Sequence, residues 1–85
     1  MILLFTKKAE RSYKRLPPNI QKKTDKQFLY LLSNHRHPSL RARKMSGQGY
    51  FEGRIDIHYR FTFQIEGHTI YVLTIGPHDE GLGKK

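Results

Sequence analysis

The stretch FEGRIDIHYRFTFQI, residues 51–65, sets an apolar side chain at every second position except Gly53: Phe51, Ile55, Ile57, Tyr59, Phe61, Phe63 and Ile65. Between them stand Glu52, Arg54, Asp56, His58, Arg60, Thr62 and Gln64. A period of two is the pattern of strands with one face in a core and the other in water. As one strand the run would reach about 50 Å at roughly 3.4 Å per residue, too far for a small domain, so it folds back as a hairpin. Residues opposite each other in an antiparallel pair share a face, and an odd-numbered loop therefore keeps the apolar set together. A three-residue loop, Asp56-Ile57-His58, predicts Ile55 opposite Tyr59, Arg54 opposite Arg60 and Glu52 opposite Thr62. Two arginines across a ladder repel. Either Glu52 and Asp56 neutralise them or an outside anion does, and a phosphate suits a pair of guanidinium forks.

Downstream, Glu66-Gly67 reads as a turn, and the run Ile70-Tyr71-Val72-Leu73-Thr74-Ile75 is apolar on both faces, as in a central strand. A two-residue turn puts Ile70 and Val72 on the face of Phe61 and Phe63. It puts Tyr71, Leu73 and Ile75 on the face of Arg60, so the arginines gain an apolar floor where their charge is less screened. Upstream, Ser39 to Gly49 carries Arg41, Arg43 and Lys44 with only Leu40 and Met45 as apolar anchors. Gly47, Gly49 and Gly53 match no phosphate-cradling loop, and Asn34 to Pro38 reads as a loop.

The first third of the chain is helical in pattern. After a short strand from Ile2 to Phe5, Thr6 stands where a helix N-cap belongs, and Ala9, Tyr13 and Leu16 recur at helical spacing. Pro17-Pro18 stops that helix, and Pro18 suits the first position of the next. There Ile20, Thr24, Phe28, Leu31 and Leu32 form an apolar stripe, with Lys22, Lys23, Asp25 and Lys26 outward. Two helices joined by so tight a break make an antiparallel hairpin. The fold class is therefore α+β: strand, helix, helix and three antiparallel strands, with the helical hairpin on one face of the sheet.

Composition narrows the function. Eighty-five residues make a single domain, 1–85. There is no cysteine, hence neither a disulfide nor a thiolate metal site. The apolar opening Met1–Phe5 is too short for a signal core or a membrane span, so a soluble cytoplasmic protein is expected. Sixteen Lys and Arg against seven Asp and Glu give a net charge of +9, which favours a polyanionic partner, nucleic acid first. Anionic lipid would call for an amphipathic helix with bulky apolar residues to spare, and here they are committed to the core. His35 and His37 on one loop, without cysteine or a nearby carboxylate, are too poor a ligand set for a metal to be expected.

HYRFTFQI at 58–65 and YVLTIGPHDEGL at 71–82, in this order of elements, resemble the RelE/ParE superfamily of toxins from toxin–antitoxin pairs, and the likeness covers essentially the whole chain. The resemblance implies a RelE-like fold: a twisted sheet with the helical hairpin on one face and a basic groove on the other. It implies a cognate antitoxin protein as partner and, in the RNA-cleaving branch that includes RelE, YoeB and YafQ, ribosome-dependent endoribonuclease activity on messenger RNA in the ribosomal A site, without a metal or small-molecule cofactor. By resemblance Arg60 contacts the scissile phosphate, His78 falls where the branch has an acid or base, and Arg54 lies near basic residues of the preceding strand. Arg41, Arg43 and Lys44 would hold RNA backbone, and Tyr50 is a candidate to stack on a base. Two positions depart from the pattern: Ser39 aligns nearest to a glutamate of YoeB, and Asp79 to the tyrosine beside its histidine.

Metal-independent RNA cleavage needs a base for the 2′-hydroxyl, positive charge on the non-bridging phosphate oxygens and an acid for the 5′-oxygen. Arg54, Arg60 and His78 fit the last two needs, and Glu52, Asp56, His58 or His78 itself the first. Two other functions compete with the nuclease. One is inhibition of DNA gyrase in the manner of ParE toxins, which requires no acid–base pair. The other is RNA binding without catalysis.

Overall fold

The computed structural model describes residues 1–45, 47 and 49–77. The elements are β1 (Ile2–Phe5), α1 (Lys7–Arg15), α2 (Pro18–Ser33), a 3-10 turn (Pro38–Leu40), β2 (Arg43–Lys44), β3 (Phe51–Arg54), β4 (Tyr59–Glu66) and β5 (Thr69–Pro77). The strands form one sheet in the order β1-β5-β4-β3-β2. Only the β1–β5 pair is parallel. Because β1 inserts beside the last strand, the α+β class and the predicted element order hold while the sheet is mixed. The two-residue β2 is absent from the sequence reading because a basic dipeptide carries no alternation.

The helices start and stop for local reasons. The Thr6 hydroxyl accepts the Ala9 N–H at 3.1 Å and caps α1. Leu16 leaves the helical region ahead of Pro17, and Pro18 opens α2. The Tyr13 hydroxyl donates to Asp25 at 2.6 Å and clasps the two helices. Their inner faces bury Ala9, Leu16, Ile20, Thr24, Gln27, Phe28 and Leu31 against the sheet residues Phe61, Phe63, Ile70, Val72 and Ile75. Phe28 meets Phe61 edge-on at 5.1 Å, and Phe51 stacks on Phe63 at 5.2 Å.

The hairpin has the predicted register: Arg54 faces Arg60, Gly53 faces Phe61 and Glu52 faces Thr62. Ile55 N–H donates to the Tyr59 carbonyl at 3.0 Å, closing the loop Asp56-Ile57-His58. Ile57, at its tip, is 65% exposed and leaves the apolar face of its neighbours. Gly53 interrupts the apolar alternation because the Phe61 ring lies over it; a Cβ there would stand 2.5 Å from that ring.

The expected apolar floor beneath the arginines is not formed. Between Thr62↔Thr74 and Phe63↔Val72 the register shifts, leaving Leu73 as one extra residue in β5. Such a bulge reverses the parity of everything beyond it. Tyr71 does share the face of Gln64, but Ile75 turns to the core opposite Phe61, and Thr74 and Gly76 come to the face of Arg60. The Leu73 carbonyl accepts the Thr6 hydroxyl at 2.9 Å, so the N-cap of α1 also holds the bulge. No helix among the described residues is long and apolar enough to cross a membrane.

Candidate functional site

The polar face of β3 and β4 carries Arg54 at the end of one strand and Arg60 at the start of the next, directly opposed. With Arg41, Arg43, Glu52 and Gly53 they line a cleft of about 230 Å³. Three local devices bring these residues together. Arg41, following the 3-10 turn, sits in the left-handed region at φ 47°, a conformation that a non-glycine residue adopts at a cost and that turns the chain toward β2. Arg43 pairs with Glu52 across β2 and β3, which puts it on the groove face. The Gln27 amide, buried on α2, donates to the carbonyls of Ser39 at 3.0 Å and Arg54 at 2.7 Å, tying the 3-10 turn and the end of β3 to one side chain.

The described acidic residues of this region, Glu52 and Asp56, are already engaged, and neither with the opposed pair. Glu52, 6% exposed, accepts from Arg43 Nε at 3.3 Å. Asp56 accepts the backbone N–H groups of His58 at 2.8 Å and Tyr59 at 2.9 Å and pairs with Lys23 at 3.2 Å. Burial would raise the Asp56 carboxyl, but the His58 N–H, Lys23 and the Tyr59 N–H outweigh it, and its pKa lies below the ordinary carboxylate value. A carboxylate so stabilised is a poor general base. The Arg60 guanidinium donates to the backbone carbonyls of Asp56 and Tyr59, which fixes its orientation without neutralising it. Among the described residues neither Arg54 nor Arg60 pairs with a carboxylate. The geometry thus offers two guanidinium groups, that of Arg60 held by backbone carbonyls, to an external anion.

The other residues singled out from sequence are dispersed. Lys44 pairs with Phe51 and therefore stands on the opposite face of β2 from Arg43. Tyr50 precedes β3, accepts the Met45 N–H on its carbonyl and lines neither cleft. His58 is exposed in the hairpin loop. His78 lies outside the described residues; the strand before it ends at Gly76, opposite Arg60, and Pro77, opposite Tyr59. No group of three or more His, Asp or Glu among the described residues is placed to hold a metal ion.

A second cleft, of about 330 Å³, joins the first at Arg60. Its walls include Lys8, Ser12 and Arg15 of α1, and its floor Thr62 and Thr74, whose hydroxyls meet at 2.6 Å. These α1 residues were missed in the sequence, although their spacing, four and then three residues apart, marks one helix face.

Residues 3–82 match the model of the ParE toxin of the type II toxin–antitoxin system parDE. No curated protein matches by sequence. Among solved structures the chain is similar to the YoeB/ParE toxin from Agrobacterium tumefaciens, at 20% identity and a TM-score of 0.74 over 92% of this chain and 99% of that one. It is similar to a protein of the RelB–RelE antitoxin–toxin complex from Methanococcus jannaschii, at 19% identity and a TM-score of 0.77 over 96% and 98%. The intact RelBE toxin–antitoxin complex of E. coli gives 18% identity and a TM-score of 0.74 over 88% and 93%. The fold is that of these RelE-like toxins.

Proposed function

The chain belongs to the ParE toxin family of type II toxin–antitoxin systems, in the RelE/ParE superfamily, and from that premise we propose that it is a ribosome-dependent endoribonuclease that cleaves messenger RNA without a metal. The observation that carries this reading is the Arg54–Arg60 pair, opposed across the hairpin and unpaired by any described carboxylate. Two guanidinium groups on opposed strand positions stabilise the two non-bridging oxygens of a phosphate as charge grows on them. A base takes the proton of the ribose 2′-hydroxyl, and the 2′-oxygen attacks phosphorus. The bond to the 5′-oxygen breaks, and an acid protonates that oxygen. The products are a 2′,3′-cyclic phosphate and a 5′-hydroxyl. With Asp56 committed to its turn and Glu52 to Arg43, His78 carries one of the two proton transfers in this reading, a role that suits an imidazole. Arg41 and Arg43 hold flanking backbone.

The partner proposed is a cognate antitoxin whose segment covers the basic groove; the solved RelBE structures are toxin–antitoxin complexes. The place of action proposed is the cytoplasm, where translating ribosomes are. Primer extension on a translated messenger RNA tests the activity: new 5′ ends that need both the protein and ribosomes are expected, and intact RNA refutes it. The parDE description of the matching family favours a second reading, inhibition of DNA gyrase. A supercoiling assay in parallel separates the two, because a gyrase inhibitor blocks supercoiling and leaves the RNA whole.

A further inference from the structure

β1 pairs with β5 only as far as Val72. Beyond that point α1 packs along β5, so one face of the helix becomes a wall beside the polar face of the sheet. The cleft between them presents Lys8 and Arg15 from α1, Arg60 from β4, and the hydroxyls of Ser12, Thr62 and Thr74. Among the described residues no carboxylate lines it. Glu10, the acid of α1, faces Lys14 at 3.8 Å instead. Thr62 and Thr74 share one hydrogen bond, which uses one of their two hydroxyl protons and leaves the other to donate outward. Phe61 and Ile75 touch the cleft from below but are buried, so its accessible chemistry is that of cations and hydroxyl donors. That chemistry fits phosphate and sugar, whereas a bound polypeptide segment would look for apolar pockets for its side chains.

We propose that this α1 cleft is a second backbone subsite for single-stranded RNA, holding the phosphate next to the one gripped by Arg54 and Arg60. It rests on the RNA reading of the groove. Arg60 lines both clefts, which makes the two subsites adjacent and gives the strand a direction, from β2 and β3 across Arg60 to α1. Lys8 and Arg15 contact the phosphate, and the Thr62–Thr74 pair donates its remaining hydroxyl proton to a backbone oxygen. Both cations are exposed on α1, so replacing them leaves the core untouched.

The test is binding of a 2′-fluoro RNA decamer, which has no 2′-hydroxyl to attack, measured by fluorescence anisotropy from low to moderate salt. Each phosphate contact on a single strand contributes about 0.7 to the slope of log affinity against log salt. Lys8 and Arg15 hold one phosphate, so the double variant Lys8→Ala, Arg15→Ala is expected to lose about 0.7 of slope. The charge-matched variant Lys22→Ala, Lys26→Ala, whose residues line neither cleft, is expected to lose less than half as much. Equal losses in the two would mean that α1 acts only through net charge, and the subsite would be overturned. It would equally be overturned if the α1 variant weakened binding of a poly-glutamate peptide more than binding of RNA. Failure of the underlying reading looks different: Arg54→Ala, Arg60→Ala would then bind the decamer as tightly as the parent, whatever the α1 variant does.

Discussion

In the proposed reading, Arg54 and Arg60 set a function against stability at single residues. Two guanidinium groups opposed on one ladder repel, and among the described residues no carboxylate relieves them. Arg54→Ala is therefore expected to leave stability unchanged or to raise it by up to about 1 kcal/mol, while RNA cleavage falls. Urea denaturation beside a cleavage assay reads both. Arg60→Ala loses two hydrogen bonds to backbone carbonyls as well, and its stability gain is smaller or absent. Gly53 is the opposite kind of residue, with no chemistry of its own but no room for change. A Cβ would meet the Phe61 ring at 2.5 Å, so Gly53→Ala is expected to destabilise by about 1–3 kcal/mol through overpacking. At this scale the sequence was legible where chemistry followed parity. Arg54, Arg60, Arg41 and Arg43 line one cleft, and the parity of the run placed the first two opposite each other. Lys44, one residue past Arg43, crosses to the other face, because a strand of two residues gave no alternation from which to assign a side.

The hairpin and the bulge show why one element could be read in advance and the other could not. The loop Asp56-Ile57-His58 follows from an odd-numbered connection between two alternating strands. Asp56 completes it by accepting two backbone N–H groups and pairing with Lys23. Because its folded pKa is lowered from an ordinary value of 3.8, its charged form contributes stability that is fully present above that value and is lost as pH falls through the lower folded value. Asp56→Asn should therefore be less stable than the parent at neutral pH, and the gap should close below pH 3.8. Urea titrations at the two pH values measure it. The bulge at Leu73 was invisible because the run Ile70–Ile75 is apolar on both faces, and one inserted residue leaves no break in such a pattern. Its consequence is large, since it exchanges an expected apolar floor for the Thr62–Thr74 hydroxyls. Thr6 joins this bulge to the start of α1 through one hydroxyl. Thr6→Val keeps the shape and removes both bonds, and is expected to cost about 1–2 kcal/mol, read from the denaturation midpoint.

Across the whole molecule, a net charge of +9 is arranged so that described acids brace the scaffold and Arg54 and Arg60 have no carboxylate partner among the described residues. Glu52 holds Arg43, Asp56 holds Lys23, and Asp25 accepts from Tyr13 across the helical hairpin. The helices bury one face of the sheet and leave the other to the basic clefts that meet at Arg60. Fifteen residues of alternating sequence would span about 50 Å if straight. The molecule measures 30 Å along its longest axis, and the fold-back that resolves this difference is what brings the two arginines together. In the proposed function the pair acts on the phosphate that is cut. The direct measurement is single-turnover cleavage of ribosome-bound messenger RNA by the parent and by Arg54→Ala, with the 5′ ends of the products identified. Loss of one donor to the transition state is expected to slow cleavage by about 100- to 1,000-fold, with 5′-hydroxyl ends from the parent. Cleavage at the parental rate by a folded Arg54→Ala, or 5′-phosphate ends from the parent, would contradict the account.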